Sequence, residues 1–284
     1  MTSTIPKAVH DDFAGRFREI ISDPTNLLIE RHPMAGHVVD GLVTLHNGIN
    51  VPLTGVGAYY GDFSMILVQN RGVHEPLEEY AFQQMLRGLQ EAPVMLELGA
   101  YWAHYSMWLK HARPGATVYL VEPETENLAV GKANFALNGM EGEFIQDFVG
   151  HDHFGVDNFL ASRGISHLDI LHADIQHFEM QMLEDASNTL SSYAVDYVFV
   201  STHTDDLHKL VLSCLADHGY RIEATSDFDL QTTSFDGLVF ASSPLKPALL
   251  ENFEPFSRSE LGMLSPPDAV GRLRRATEVP DLAD

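Results

Sequence analysis

The apolar positions change rhythm along the chain. In "DDFAGRFREIIS" they recur at helical spacing, with Phe13, Phe17, Ile20 and Ile21 on one face. "GLVTLHNGINVPL" alternates apolar and polar residues about Asn47-Gly48, a dipeptide that favours a two-residue hairpin turn. After the Gly- and Tyr-rich loop "GAYYGDFSM", a helix is expected over 76–90, with Pro76 in its first turn and Leu77, Tyr80, Met85 and Leu89 buried. From residue 94 the apolar runs become continuous, as in a parallel sheet covered on both faces. They predict strands at 94–98, 117–121, 143–149, 168–173 and 195–201. The spacing between them predicts helices over 104–112, 124–138, 176–187 and 205–218, with Asn138-Gly139 as a stop. "YRIEATSDF" and "SFDGLVFASSP" follow with no helix between them, so the last strand should run antiparallel. Beyond about residue 245 the tail is rich in proline and charge, with weak periodicity.

This rhythm divides the chain into an N-terminal layer over 1–75, an α/β domain over 76–245 and an extension over 246–284. Because it precedes the sheet, the N-terminal layer is expected to cover the cleft as a lid. Composition narrows the reading. The 284 residues, 45% of them hydrophobic, suffice for one large core, and no apolar run reaches the roughly 18 residues that span a bilayer. "MTSTIPKAVHDDFAG" lacks a basic stretch ahead of an apolar core, so no signal peptide is expected. Cys214, the single cysteine, fits a reducing cytoplasm and a place in a helix core. A net charge of −23 argues against nucleic acid and membrane partners and favours a cationic ligand, either a sulfonium or a metal. The 15 histidines form no H-x-x-x-H or Cys/His pattern, so surface or hydrogen-bonded histidines are expected.

"VMLELGAYWAHYSMWL" is where candidate chemistry enters. A buried strand ends at acidic Glu97, turns at Gly99 and opens a helix whose first N–H groups are free. Glu122, 23 positions after Gly99, ends the next strand, where a carboxylate can accept both ribose hydroxyls of an adenosine. A plain strand–helix turn with a solvated glutamate is the alternative to each feature alone; their order favours adenosine. Gly99 stands without the further glycines that let a pyrophosphate approach, which counts against a dinucleotide. S-adenosylmethionine has no phosphate, and its sulfonium gains from carboxylates such as Glu97.

Several linked stretches between about residues 70 and 245 resemble the FkbM-like family of class I S-adenosylmethionine-dependent methyltransferases. They are "NRGVHEPLEEYAF", "ELGAYWAHYS", "VYLVEPETENLAVGKANFALNG", "DILHADIQHFEMQMLEDA" and "SFDGLVFA". The chain departs from the family at Ala103 and His177, where glycines are usual, and at Gln176, where a glutamate is usual. The resemblance implies a Rossmann-like, seven-stranded, mostly parallel sheet with an antiparallel last strand. It also implies O-methylation of a small-molecule hydroxyl, on a natural product or sugar. Cofactor contacts are expected from Glu97, Gly99, Ala100, Tyr101, Ser106, Glu122 and Asn127.

The end of the fourth strand carries His172 and Asp174, followed by Gln176 and Glu179; the end of the fifth carries His203, Asp205 and Asp206. His203, with an unperturbed pKa near neutrality, is the first candidate for the base, with Asp174 beside it and His177 in reserve. Asp174, His203 and Asp205 could instead hold Mg²⁺, and the alternative for Asp205 and Asp206 is helix capping. Tyr59, Tyr60, Tyr101 and Trp102 either line a substrate mouth or pack. A nicotinamide-dependent oxidoreductase and a non-catalytic scaffold are the rival readings; homo-oligomerisation stays open.

Overall fold

The computed structural model describes residues 13–150, 153–251 and 253–277. The chain start, the side chain of Phe13 and the last residues of the tail, about which expectations were stated, lie outside the described residues.

The N-terminal layer holds helix α1 (Phe13–Ser22), a small antiparallel sheet of β1 (Val38–Val39), β2 (Leu42–Thr44) and β3 (Asn50–Pro52), and helix α2 (Met65–Gln69). The expected hairpin joins β2 to β3, but its turn is longer than the two residues anticipated. Leu45 donates to the Ile49 carbonyl at 2.7 Å and Gly48 donates to the Leu45 carbonyl at 3.0 Å, so His46, Asn47 and Gly48 form the loop. Gly48, at φ +91°, takes the left-handed position that a three-residue hairpin requires. Val43, Leu45, Ile49 and Val51 share one buried cluster with Met95 and Phe199 of the main sheet, so the layer is packed into the core.

Helix α3 (Pro76–Arg87) leads into the large sheet: β4 (Val94–Leu98), α4 (His104–Ala112), β5 (Thr117–Val121), α5 (Thr125–Leu137), β6 (Glu143–Ile145), α6 (Val156–Arg163) and β7 (Leu168–Ala173). Then come α7 (Glu179–Asp185), α8 (Ser187–Ser191), β8 (Val195–Thr202), α9 (Asp205–Asp217), β9 (Arg221–Ser226) and β10 (Gly237–Ser242). The strand order is β6-β5-β4-β7-β8-β10-β9. Strands from β6 to β8 are parallel, and β10 is antiparallel to both of its neighbours.

Continuous apolar runs make this sheet because both faces are covered. Met95, Ile170, Phe199 and Phe240 join the cluster beneath the N-terminal layer. Their chain neighbours Leu96, Leu171, Val198 and Val239 point the other way, against α6, α7 and α9. Phe199 and Phe240 pair across β8 and β10 and stack at 4.1 Å. Fully burying side chains of this size contributes roughly 1.5–3 kcal/mol each.

Three further expectations differ from the structure. The third strand stops at Ile145, well short of residue 149. The helix expected over 176–187 begins only at Glu179, because Gln176 and His177 adopt φ +46° and +81°; after Asp185 a separate helix, α8, follows. The tail is more ordered than its periodicity implied, with α10 (Arg258–Leu261) and α11 (Pro266–Thr277). It is tied down by buried Glu223, whose carboxylate accepts the Leu249 and Leu250 N–H groups at 2.9 Å each. Helix α6 was not anticipated: its apolar spacing spans barely two turns. Among the described residues, no helix is long and apolar enough to cross a membrane.

Candidate active site

The sheet order reverses at β4, which has β5 on one side and β7 on the other, and ligands of such sheets gather beyond the carboxyl ends there. A cavity of about 680 Å³ lies at that point, with Gly99 after β4, Asp174 after β7 and His203 after β8 in its wall. Gly99 is held at φ +76°, and a Cβ built on it would come 1.8 Å from the Asp174 carbonyl oxygen. Only glycine lets these two loops approach so closely. The loop's own donors are largely used internally. The Gly99 and Ala100 N–H groups bond the Val121 carbonyl, at 2.9 and 3.0 Å, and the Tyr101 N–H bonds Glu122 at 3.1 Å. These loop donors are therefore taken up internally, and at the helix start the Ser106 N–H is taken by Glu97. Ala103, where a glycine is usual in the resembling family, sits at φ +66°, so the backbone keeps the left-handed shape despite the methyl.

His203 is the centre of an acidic cluster. Its Nδ1 lies 2.6 Å from the Oε1 of fully buried Glu179, and its Nε2 faces Asp174 at 3.1 Å and Asp236 at 3.5 Å. Burial opposes the cationic form, but the hydrogen bonds to Asp174 and Glu179 outweigh it and push the imidazole up to about 11. Asp236 moves the opposite way from a usual carboxylate, up to about 7, through burial first and then repulsion from Asp174. His203 is therefore imidazolium at neutral pH, while Asp236 titrates near neutrality, where a general base works best. The His177 ring stands 5.7 Å from that of His203, and the His177 N–H donates to Glu179 at 3.3 Å.

On the other side of Gly99 the wall is also acidic. Glu97 accepts the Ser106 N–H at 3.2 Å, and burial raises its pKa. Glu75 accepts the Tyr105 hydroxyl at 2.8 Å and is raised well above the usual range by burial and by Glu78 and Asp174. His172 Nε2 lies 2.6 Å from Glu78 Oε1, an ion pair that keeps its pKa raised although burial pulls it down. Over this runs the N-terminal layer. Tyr60 packs at a tilt against Tyr101 at 4.5 Å, Tyr59 against Trp102 at 4.8 Å, and both tyrosines line the cavity with Phe63 and Arg16.

The structure thus brings Glu97, Gly99, Ala100, Tyr101, Asp174, His177 and His203 to one cavity wall. Four expected residues stand back from it. Ser106 is buried behind Glu97. Glu122 is buried and accepts from the Tyr101 and Glu124 N–H groups and from the Asn127 amide, so Asn127 holds Glu122. Asp205 is not in the acidic cluster: its carboxylate accepts the Asp229 N–H at 3.0 Å, because it lies in the first turn of α9, pointing away from the strand end. Thr204, not either aspartate, caps that helix, accepting the Leu207 N–H at 3.1 Å. Asp236 takes the place expected of Asp205: ligand atoms of Asp174, His203 and Asp236 lie within 4.8 Å of one another. Asp236 comes from "SFDG", just before the antiparallel strand, where no local pattern marks a side chain as belonging to a site 33 residues earlier.

A sequence profile of the methyltransferase FkbM domain matches residues 152–222, about a quarter of the chain. No curated protein matches the chain. Among solved structures, a precorrin-6Y C5,15-methyltransferase from Geobacter metallireducens is similar at 14% identity and TM-score 0.44, over 58% of this chain and 87% of that one. M. capricolum TrmK, in complex with S-adenosylhomocysteine, is similar at 13% identity and TM-score 0.41, over 58% and 68%. A ribosomal protein L11 methylase from Lactobacillus delbrueckii subsp. bulgaricus is similar at 14% identity and TM-score 0.42, over 58% and 77%. By its strand order the chain has the class I, Rossmann-like methyltransferase fold, and over residues 152–222 it matches the methyltransferase FkbM domain.

Proposed function

We propose that this protein is an S-adenosylmethionine-dependent O-methyltransferase acting on a hydroxyl of a small molecule such as a natural product or sugar. The carrying observation is the acidic cavity at the switch point, with Gly99 as its floor and Asp236 titrating near neutrality above it. The donor set suits the proposed cofactor. Glu97 and Asp174 line the cavity where a cation would sit, and the Gly99 cradle would be filled by any Cβ. Glu97, Gly99, Ala100 and Tyr101 would hold the cofactor directly. Ser106 and Asn127 would act one step back, through Glu97 and Glu122. A carboxylate offers about four acceptor sites, so Glu122 keeps one direction for a ribose hydroxyl beyond its three present donors.

The cofactor, when bound, supplies an electrophilic methyl group on a sulfonium. The chain's residues do the rest. Asp236 takes the proton from the acceptor hydroxyl as its oxygen gains the methyl, and His203, held by Glu179, keeps Asp236 and Asp174 in place. Positioning contributes most, up to roughly 7–11 kcal/mol, and the base roughly 10²–10⁴-fold in rate. The aromatic residues of the layer over 1–75 form the acceptor's cover. A cytoplasmic location and a small-molecule acceptor belong to this proposal.

A second reading has a specific observation behind it. Asp174, His203 and Asp236 place three ligand atoms within 4.8 Å, and Glu179 on the far nitrogen of His203 is the usual orienting partner of a metal-bound imidazole. Mg²⁺ there would lower the hydroxyl's pKa. Turnover with labelled cofactor and a panel of hydroxylated acceptors tests the first reading. Persistence of that turnover in excess chelator removes the second.

A further inference from the structure

A second cluster lies behind the cavity and plays no part in the proposed reaction. His46 from the hairpin loop, Glu79 from α3 and His104 from the start of α4 are all buried, and each offers a ligand atom within 4.8 Å of the others. We infer that these three residues form a binding site for one divalent transition-metal ion of the zinc class, which pins the N-terminal layer to the sheet.

Unmet bonding capacity is the strongest support. Both ring nitrogens of His104 and the Nε2 of His46 lack a hydrogen-bond partner among the described residues. A buried imidazole left this way carries an unrelieved desolvation cost. His104 stacks on Trp102 at 5.0 Å and 13°, and His46 meets Trp108 edge-on at 4.4 Å, so the surroundings of both rings are largely aromatic.

The carboxylate is prepared in the same sense. Glu79 Oε1 accepts the backbone N–H groups of His74 and Glu75, at 2.8 and 3.1 Å, and is 2.6 Å from His74 Nδ1. Oε2 is only 2.9 Å from His46 Nδ1, yet the two do not meet in hydrogen-bonding geometry. That nitrogen also lies 3.1 Å from the Gly72 carbonyl. One oxygen is thus fixed by the backbone and the other is presented, as outer partners commonly do for a ligating carboxylate. Two imidazoles and one carboxylate suit Zn²⁺ or its neighbours and not Ca²⁺ or Mg²⁺, which prefer oxygen. His104 reaches the main cavity, and His46 reaches a surface groove lined by Arg31, Asn47 and Trp108, so the cluster has access from both sides. No local pattern marks this site, because its ligands are 33 and 25 positions apart, on three separate elements.

The test uses the full chain, stripped with chelator and titrated with Co²⁺ as a visible reporter. Ligand-field bands saturating at one equivalent, bleached by Zn²⁺, are expected in the wild type. They should be retained in Asp236→Asn, which disables the other cluster, and lost in His104→Phe, which keeps the ring and its stacking. Glu79→Gln should also lose them, and Zn²⁺ should raise the thermal midpoint of the wild type but of neither variant. Near-ultraviolet circular dichroism establishes that each variant is folded; if one is not, the other decides. No bands and no Zn²⁺-dependent midpoint in the wild type would overturn the site, leaving a dry or hydrated ion-pair cluster. So would bands that survive each substitution when it is combined with Asp236→Asn, or that vanish in Asp236→Asn alone.

Discussion

Gly99→Ala is the sharpest perturbation of the cofactor floor. An L-residue at φ +76° costs roughly 1–2 kcal/mol. The new Cβ would sit 1.8 Å from the Asp174 carbonyl oxygen, so β4 and the loop after β7 must separate by more than an ångström. Overpacking of that kind typically costs about 1–3 kcal/mol. It also stretches the 2.9 Å bond from the Asp174 N–H to the Leu98 carbonyl, worth about 0.5–1.5 kcal/mol. Together these come to roughly 2.5–6.5 kcal/mol, a large share of a typical 5–15 kcal/mol stability. Denaturant unfolding should show the loss, and calorimetry should find S-adenosylmethionine binding abolished in whatever remains folded. Ala103→Gly is the matched control in the same loop. Relief of the left-handed alanine, roughly 1–2 kcal/mol, is offset by the flexibility of glycine, about 0.5–1 kcal/mol, and by the lost methyl, about 0.8 kcal/mol; that variant should unfold much like the wild type. If Gly99→Ala unfolds and binds like the wild type, the close approach of the two loops is not what the site depends on.

Other outcomes follow from the acidic cluster. The rate should rise with pH through about 7 as Asp236 loses its proton, and Asp236→Asn should remove that limb and lower turnover roughly 10²–10⁴-fold; an unchanged profile would free Asp236 of the role. His203, raised from 6.5 to about 11, holds its proton more tightly folded than unfolded. The resulting stabilisation is complete below about 6.5 and is lost as pH rises through 11, so alkaline unfolding should be steep and His203→Gln should flatten it. Glu179→Gln should shift the rate profile by loosening the His203 ring, with cofactor affinity preserved; an unmoved profile would make Glu179 a packing residue. Glu122→Ala should weaken cofactor binding, since the Tyr101 loop loses its anchor along with a ribose acceptor, at about 1.5–3 kcal/mol for each charge-assisted bond.

The sheet was legible because its signals are local. Continuous apolar runs at 94–98, 117–121 and 168–173 coincide with β4, β5 and β7, and the missing helix between β9 and β10 announced the antiparallel strand. Gly99 and Glu97 were legible because a strand–turn–helix is written in consecutive residues. Asp236, and Glu179 as the support of His203, were not. Their roles come from pairing across the sheet and from burial, which set the pKa values near His203, and neither is encoded nearby in the chain. The late start of α7 was hidden for a related reason: Gln176 and His177 are held at positive φ, a conformation that their side chains do not advertise. The order of the tail is not legible in its own periodicity, because it rests on contacts to Glu223 and on the ion pair of Arg258 with Glu19.

The most direct test of the central claim is calorimetric titration of the full chain with S-adenosylmethionine, repeated on Glu97→Gln. The account predicts one saturable site per chain in the wild type. Loss of the buried carboxylate should weaken it by about one charged hydrogen bond, roughly 1.5–3 kcal/mol, or some tenfold or more in Kd. Absence of binding by a folded wild type, or binding that Glu97→Gln leaves untouched, would contradict it.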